Sequence, residues 1–325
     1  IATETFVLLK NEGNLLPLKK EGKIALIGPL ADTSNNIAGT WSVAQTPDKY
    51  TTIKEAMENA LRGKATLLYT QGSNIWRNRE LQKNGEFGNP ISWGDEAKMK
   101  AEALQVAKDA DVIICAMGES ADMTGECGSR TNLEMPDVQH ELLAEFVKMG
   151  KPVVLLNFAG RPTVLSWEQQ HVSAIMNVWF GGSEVGDALC DVLFGDKVPS
   201  GKLTASMPKT TGQEPLYYNH QNTGRPVADD NMRFAKFASN CLDVSNGPLY
   251  PFGYGLSYTT FDYSNFKMSS QEAGINGNQE ATEWQDGKKI TATITVKNTG
   301  ARDADEVVQL YIRDLVASIS RPVKE

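Results

Sequence analysis

The stretch that decides the fold is VIICAMGESADMTGECGSR, residues 112–130. Its first six residues are a continuous apolar run, which is typical of a strand buried on both faces of a parallel sheet. The following thirteen, residues 118–130, contain two glutamates, an aspartate, an arginine and three glycines. Because ligands of open α/β sheets bind outside the carboxyl ends of the strands, this loop is the first candidate for a functional site.

The charged residues of this loop suggest a chemistry as well as a place. Carboxylates and a cation on a loop suit acid/base catalysis on a polar, uncharged substrate. Glu119 and Glu126 are the two candidates for the acid or base, and Glu119 lies nearer the end of the strand, where a rigid element would hold it better. A solvated loop with turn glycines is the alternative that the pattern leaves open.

Other apolar runs predict the remaining strands of the same sheet, at residues 23–28, 65–69, 153–156, 174–179 and, as a sixth, 202–205. Helical patterns of 10–15 residues alternate with these runs, and such alternation predicts right-handed crossovers with helices on both faces of the sheet. About six strands are too few for an eight-stranded barrel. The sequence therefore predicts an open, mostly parallel, six-stranded α/β sandwich over residues 1–208.

Local signals set some of the boundaries within this unit. Thr52 and Glu55 have the spacing of a capping box, and Ser183 is expected to cap a later helix. Residues 3–9 are interpreted as the end of a short helix. Residues 73–94 are polar, lack a clear period and are predicted to form a long surface loop.

The chain changes character after this unit. Residues 209–260 are rich in Tyr, Asn, Gly and Pro, and they are interpreted as a connector that lies across a surface. From residue 261 the apolar positions alternate, as they do in half-buried strands, with further alternation over residues 308–312. A sandwich of seven strands needs about 100 residues. Residues 261–325 are therefore expected to be a truncated all-β sandwich.

Composition excludes several classes of protein. With 40 acidic and 32 basic side chains the net charge is −8, which argues against a nucleic-acid partner. No apolar run approaches the roughly 18 residues of a membrane span. Four cysteines without C-x-x-C spacing and three histidines predict no zinc site, although Cys127 and Cys241 could pair. Since the chain opens on Ile1 with no signal peptide, we expect a processed chain or a piece of a longer protein.

Several motifs, taken in order, resemble glycoside hydrolase family 3, and β-glucosidases of the bacterial periplasmic type in particular. They are VLLKNE (7–12), LLPL (15–18), IALIGP (24–29), Gly125-Glu126 with Ser129-Arg130, PSGKLT (199–204), YPFGYGLSY (250–258) and VVQLYIRD (307–314). The resemblance covers essentially the whole chain. It implies that residues 1–208 are the family's α/β-sandwich domain and that residues 261–325 are part of its fibronectin-III-like (Ig-like) domain. It also implies a periplasmic or secreted location.

The resemblance further implies an activity. Members of the family are retaining, exo-acting enzymes, so the chain is expected to be a fragment of a β-glucosidase that hydrolyses terminal non-reducing β-D-glucosyl residues of β-glucosides or gluco-oligosaccharides. The family's nucleophilic aspartate lies in an N-terminal (β/α)8 barrel, which this sequence lacks. The isolated fragment is therefore expected to be inactive. No cofactor or metal is implied, and a homodimer is allowed.

Three site residues follow from the same resemblance. It assigns the acid/base role to Glu126, with Glu119 as the alternative. Trp41, in AGTWS (38–42), resembles an aromatic residue that lines the entrance subsite, whereas a core or interdomain tryptophan is the alternative. Arg130 is a candidate for binding sugar hydroxyls, and the alternative is a salt bridge that shapes the loop.

Two other classes of function are considered beside the hydrolase. The first is a non-catalytic carbohydrate-binding or interaction module, which would bind sugars without turnover. The second is a flavodoxin-like nucleotide-binding domain, with GGSEVG (181–186) as an anion-binding turn. That turn lacks the Walker lysine and the dinucleotide glycine spacing, so nucleotide binding is disfavoured and a tightly packed helix start is preferred.

Overall fold

The computed structural model describes residues 1–42, 44–232, 234–269 and 290–325. A six-stranded sheet lies at its centre, in the strand order β1-β6-β5-β4-β2-β3. All neighbouring strands are parallel except for the pair of β1 and β6. The predicted open, mostly parallel α/β sandwich is thus confirmed. The strands are β1 (Val7–Asn11), β2 (Lys23–Ile27), β3 (Thr66–Thr70), β4 (Val112–Gly118), β5 (Val153–Phe158) and β6 (Ala174–Asn177).

The sixth strand was predicted in the wrong place. It is β1, an antiparallel edge strand, whereas residues 3–9 were expected to be helical. Residues 202–205 form no strand, because Leu203 pairs with the connector instead: its N–H donates to the Tyr254 carbonyl at 2.8 Å, and its carbonyl accepts from Gly253 at 2.7 Å. The connector therefore satisfies the backbone groups that a sheet neighbour would otherwise have satisfied.

Helices cover both faces of the sheet, as the crossover rule requires. Apolar side chains of α2 and α7 pack on one face, and those of α4 and α5 pack on the other. The predicted surface loop at residues 73–94 contains the short helix α3, and α6 was not anticipated. The helices are α1 (Ala2–Thr5), α2 (Ile53–Leu61), α3 (Arg79–Asn84), α4 (Glu96–Asp109), α5 (Asp137–Lys148), α6 (Ser166–His171) and α7 (Val185–Leu193). Among the described residues, no helix is long and apolar enough to cross a membrane.

One of the two predicted helix caps is formed. The Thr52 hydroxyl accepts from Glu55 N at 3.2 Å, and the Glu55 carboxylate accepts from Thr52 N at 2.9 Å, so the capping box is confirmed. The predicted cap at Ser183 is wrong. Helix α7 begins after Glu184 without a side-chain cap. A turn leads into the helix instead: it contains two glycines with positive φ, and Val185 N donates to Gly182 O at 3.2 Å.

The region after the sandwich is only partly β-structured in the described residues. Strands β7 (Phe261–Ser269) and β8 (Thr291–Asn298) form a two-stranded antiparallel sheet. The strand predicted at residues 308–312 is absent from the described part of the chain, because Ile312 pairs only with Glu325, through two hydrogen bonds of 2.9 Å. The boundaries at residues 208 and 260 stay a prediction. All four cysteine thiols are free, so Cys127 and Cys241 are not paired.

The two caps can be tested against each other. Thr52→Ala removes an acceptor from an N-terminal amide of α2 and should lower the free energy of unfolding by about 1 kcal/mol. Ser183→Ala removes a hydroxyl that caps nothing and should change it by less than about 0.5 kcal/mol. Urea denaturation followed by circular dichroism measures both. An equal loss in the two variants would contradict this assignment of the caps.

Candidate active site

The candidate loop leaves the sheet at a position where only glycine fits. Gly118 ends β4 with φ +128°, and a Cβ there would lie 2.0 Å from the Phe158 carbonyl oxygen. The buried Gln139 side chain accepts from Gly118 N at 2.8 Å and donates to Gly118 O at 3.0 Å. Glu119 N then donates to Phe158 O at 2.8 Å. These contacts fix the direction in which the loop starts.

Glu119 is the buried anchor of the loop. Its side chain is 1% exposed, and its Oε1 lies 2.9 Å from Arg130 Nη1 and 3.1 Å from Arg161 Nε. Oε2 accepts from Gly160 N at 3.2 Å. A buried carboxylate is tolerated only when it is paired and hydrogen-bonded in this way, so the cluster is a structural requirement of the loop.

The two arginines connect this anchor to the rest of the loop. Arg161 Nη2 donates to the Met123 carbonyl at 2.6 Å and to the Gly128 carbonyl at 2.5 Å. Arg130 Nη2 donates to the Glu134 carbonyl at 2.8 Å. Arg130 therefore forms the salt bridge that was considered as the alternative to sugar binding. Its guanidinium group also lies 5.1 Å from the centre of the Trp76 ring.

Sequence reasoning missed Arg161, although a signal for it existed. Arg161 follows β5, which is the neighbour of β4 in the sheet. The carboxyl ends of adjacent parallel strands meet at the same edge, so the rule that selected residues 118–130 also applies to the residues after Phe158. What the sequence could not show is that Arg161 would donate to carbonyl groups of the other loop.

Residues 121 and 122 of the loop form a further set of hydrogen bonds, with residues 36 and 88–89. Asp122 Oδ2 accepts from Gly88 N at 2.8 Å and from Asn89 N at 3.0 Å, and its Oδ1 accepts from Asn89 Nδ2 at 2.9 Å. Asn36 links the same elements, since its Oδ1 accepts from Ala121 N at 3.0 Å and its Nδ2 donates to Asn89 O at 3.2 Å. Both carboxylate oxygens of Asp122 thus accept hydrogen bonds from residues 88–89.

Trp41 lies against the turn that carries Glu126. Gly125 has φ +88°, and a Cβ there would lie 2.9 Å from Thr40 Cγ2 and 3.4 Å from Trp41 Cε2. The Thr40 hydroxyl lies 3.0 Å from the Thr124 carbonyl oxygen and also contacts the Ala121 carbonyl oxygen. The structure therefore brings two of the sequence-selected residues, Trp41 and Glu126, to adjoining positions.

Glu126 and Trp41 are exposed residues of this assembly in the described part of the chain. Glu126 is exposed, and no side chain in the described ranges forms a hydrogen bond or ion pair with its carboxyl group. The Trp41 side chain is 72% exposed. A free carboxyl group beside an exposed indole can exchange a proton with a ligand that stacks on the ring.

Glu119→Gln tests the anchor. The substitution leaves Arg130 and Arg161 without their buried counter-charge, so we expect a loss of about 3 kcal/mol in unfolding free energy. Chemical denaturation measures the loss. Glu134→Gln is the matched control, because Glu134 is exposed on the same segment and should lose less than about 0.5 kcal/mol. A loss as small as that of the control would show that the cluster does not hold the loop.

The family of the chain follows from comparison with known proteins. Residues 6–258 match the model of the glycosyl hydrolase family 3 C-terminal domain. The chain belongs to glycosyl hydrolase family 3, and residues 6–258 carry that family's C-terminal domain. The resemblance inferred from the sequence motifs is therefore confirmed.

Individual relatives agree with this assignment. Over its whole length the chain is 44% identical to a periplasmic beta-glucosidase of Salmonella typhimurium and covers 41% of that protein. It is 32% identical to a beta-xylosidase of Formosa agariphila and covers 40% of it. Its structure is similar to that of a beta-glucosidase from Listeria innocua in complex with isofagomine, with a TM-score of 0.81 and 35% identity, and covers 40% of that chain. The chain thus spans about two fifths of these relatives.

Proposed function

We propose that the chain is part of a retaining, exo-acting β-glucosidase in which Glu126 is the general acid/base. The observation that supports this most is the contrast between the two glutamates of the loop. Glu126 is exposed without a partner in the described residues, whereas the neighbouring groups are engaged in holding its turn. Relatives that carry the names beta-glucosidase and beta-xylosidase support the same class of reaction.

Glu119 is a poor alternative for this role. Its carboxylate accepts from two guanidinium groups and a backbone amide, and the side chain is 1% exposed. A general acid must reach the glycosidic oxygen at a hydrogen-bonding distance. Glu119 would have to break the anchor of the loop to do so, whereas Glu126 has no such contact to break among the described residues.

The reaction assigns two successive tasks to Glu126. In a retaining glycosidase, one carboxyl group protonates the leaving oxygen while the second, about 5–5.5 Å away, attacks the anomeric carbon. The first group then removes a proton from the water that hydrolyses the glycosyl-enzyme. Glu126 is thus the proton donor of the first step and the proton acceptor of the second.

The attacking carboxylate is not among the groups of this loop. Asp122 is held by Gly88 and Asn89, and Glu119 is held by the arginines. We therefore assign the nucleophile to a part of the protein outside these 325 residues. The 325 residues alone are then expected not to hydrolyse nitrophenyl β-glucosides.

Trp41 and Arg130 complete the proposed site in different ways. The exposed indole of Trp41 offers an apolar face to the C–H groups of a pyranose ring, and its proximity to Gly125, the residue before Glu126, supports a shared site. Arg130 acts through Glu119 as a positioning residue. The substrates are β-glucosides or gluco-oligosaccharides, and a periplasmic location agrees with the name of the Salmonella relative.

Substitution of Glu126 tests the acid/base role in the full-length protein. Glu126→Gln should lower kcat/KM by about 10²–10⁴-fold for substrates with poor leaving groups, such as cellobiose, because these need protonation. Dinitrophenyl β-glucoside, whose leaving group needs no proton, should lose far less. Steady-state kinetics on both substrates measures the difference, with Glu134→Gln as the control.

Equal losses on the two substrates would exclude Glu126 as the acid/base. A wild-type rate in Glu126→Gln on both substrates would exclude any catalytic part for this side chain.

A further inference from the structure

Phe87 is the most exposed large apolar side chain in the described ranges, at 98%. It follows α3 and precedes Gly88, inside the segment that was predicted to be a surface loop. The ring buries almost no area in the fold, so it adds nothing to the hydrophobic stabilisation of this chain. Single exposed apolar residues are common on protein surfaces, so exposure alone gives this ring no role, and its surroundings decide.

The backbone on both sides of Phe87 is fixed to the candidate loop. Before it, Gly85 O accepts from Ser120 Oγ at 3.2 Å. After it, Gly88 N and Asn89 N both donate to Asp122, at 2.8 and 3.0 Å. An exposed ring on a fixed backbone loses little conformational entropy when a ligand binds to it.

Phe87 and Trp41 belong to two segments that both form hydrogen bonds with residues 120–124 of the candidate loop. The segment of Phe87 hydrogen-bonds to Ser120 and Asp122, and the segment of Trp41 contacts the carbonyls of residues 121 and 124 through Thr40. Asn36, which precedes Trp41 in the same segment, donates to Asn89 O of the Phe87 segment at 3.2 Å and accepts from Ala121 N of the loop at 3.0 Å. Two exposed aromatic rings therefore belong to segments that are bonded to the loop of Glu126.

We infer that Phe87 is a second stacking surface for the leaving-group side of a β-linked gluco-oligosaccharide, beyond the sugar unit that Trp41 contacts. The inference rests on the proposed function. The acid/base protonates the leaving oxygen, so residues around its loop face the part of the substrate that departs. A phenyl ring offers only an apolar face, and it adds affinity for the C–H face of a pyranose with little discrimination between hydroxyl configurations.

The surroundings of Phe87 favour a sugar over a protein partner. Its sequence neighbours are Glu86, Gly88 and Asn89, so the ring stands alone in a polar segment. Exposed apolar patches larger than several hundred Å² mark protein interfaces, and one ring with polar neighbours is much smaller than such a patch. If the ring instead packs on another protein surface, the test below detects this through the Tm and the oligomeric mass.

The test compares substrates of different length in the full-length protein. Phe87→Ala should lower kcat/KM for cellotetraose and cellopentaose by about threefold to tenfold through a higher KM, which corresponds to the loss of one aromatic contact. The value for cellobiose and for nitrophenyl β-glucoside should stay within about twofold, because these substrates do not reach the ring. Phe87→Tyr should restore the preference for long substrates.

Leu81→Ala is the matched control, since Leu81 is a 48%-exposed apolar residue of the preceding helix and should leave all substrates unchanged. Equal losses at every chain length in Phe87→Ala would overturn the inference and show an effect through Asp122 on Glu126. A lower Tm or an altered oligomeric mass with an unchanged length preference would also overturn it, and would show that the ring packs on protein. Failure of the leaving-group test of Glu126 would instead reject the proposed function, whatever the length dependence.

Discussion

The site depends on the pairing of one buried carboxylate, that of Glu119, with two guanidinium groups. The free energy needed to remove Glu119 from water is recovered only if Arg130 and Arg161 stay in place. Since Arg161 also donates to the carbonyl groups of Met123 and Gly128, the same requirement determines the path of the loop. A stretch with three glycines is thereby held in one conformation, although glycine raises the entropy of the unfolded chain.

The groups that hold the loop and the groups that are free to act form two separate sets. Asn36, Thr40 and Asp122 complete the fixing of the loop, and each of them contacts at least one backbone group of the loop or of the segment beside it. Glu126 and Trp41 lie at the surface of this assembly without a part in it. Side chains with stable surroundings and no structural task are suited to a ligand, because binding does not disturb the contacts that position them.

The sequence alone predicted the elements whose signal is local. The apolar runs of β2, β4, β5 and β6 and the Thr52 capping box depend on neighbouring residues, and the structure forms them as expected. Strand β1 was missed because an edge strand of five residues after a helical turn has no period of its own. The partners of Glu119 and Ala121 were missed because Arg161 and Asn36 lie 42 and 85 residues away, a separation at which only the folded sheet brings them together. Family motifs singled out Glu126, whereas its exposure and the burial of Glu119 needed coordinates.

The proposed acid/base role of Glu126, on the loop that Glu119 holds, can be tested with a variant that lacks the carboxyl group. The most direct measurement is the product that Glu126→Ala forms in the full-length protein from dinitrophenyl β-glucoside with sodium azide present. Removal of the carboxyl group leaves the glycosyl-enzyme without a base to activate water, while azide needs no such help. If Glu126 is the acid/base, the rate should increase with azide concentration and the product should be β-glucosyl azide, detected by NMR. A rate that is independent of azide, with glucose as the sole product, would contradict this role.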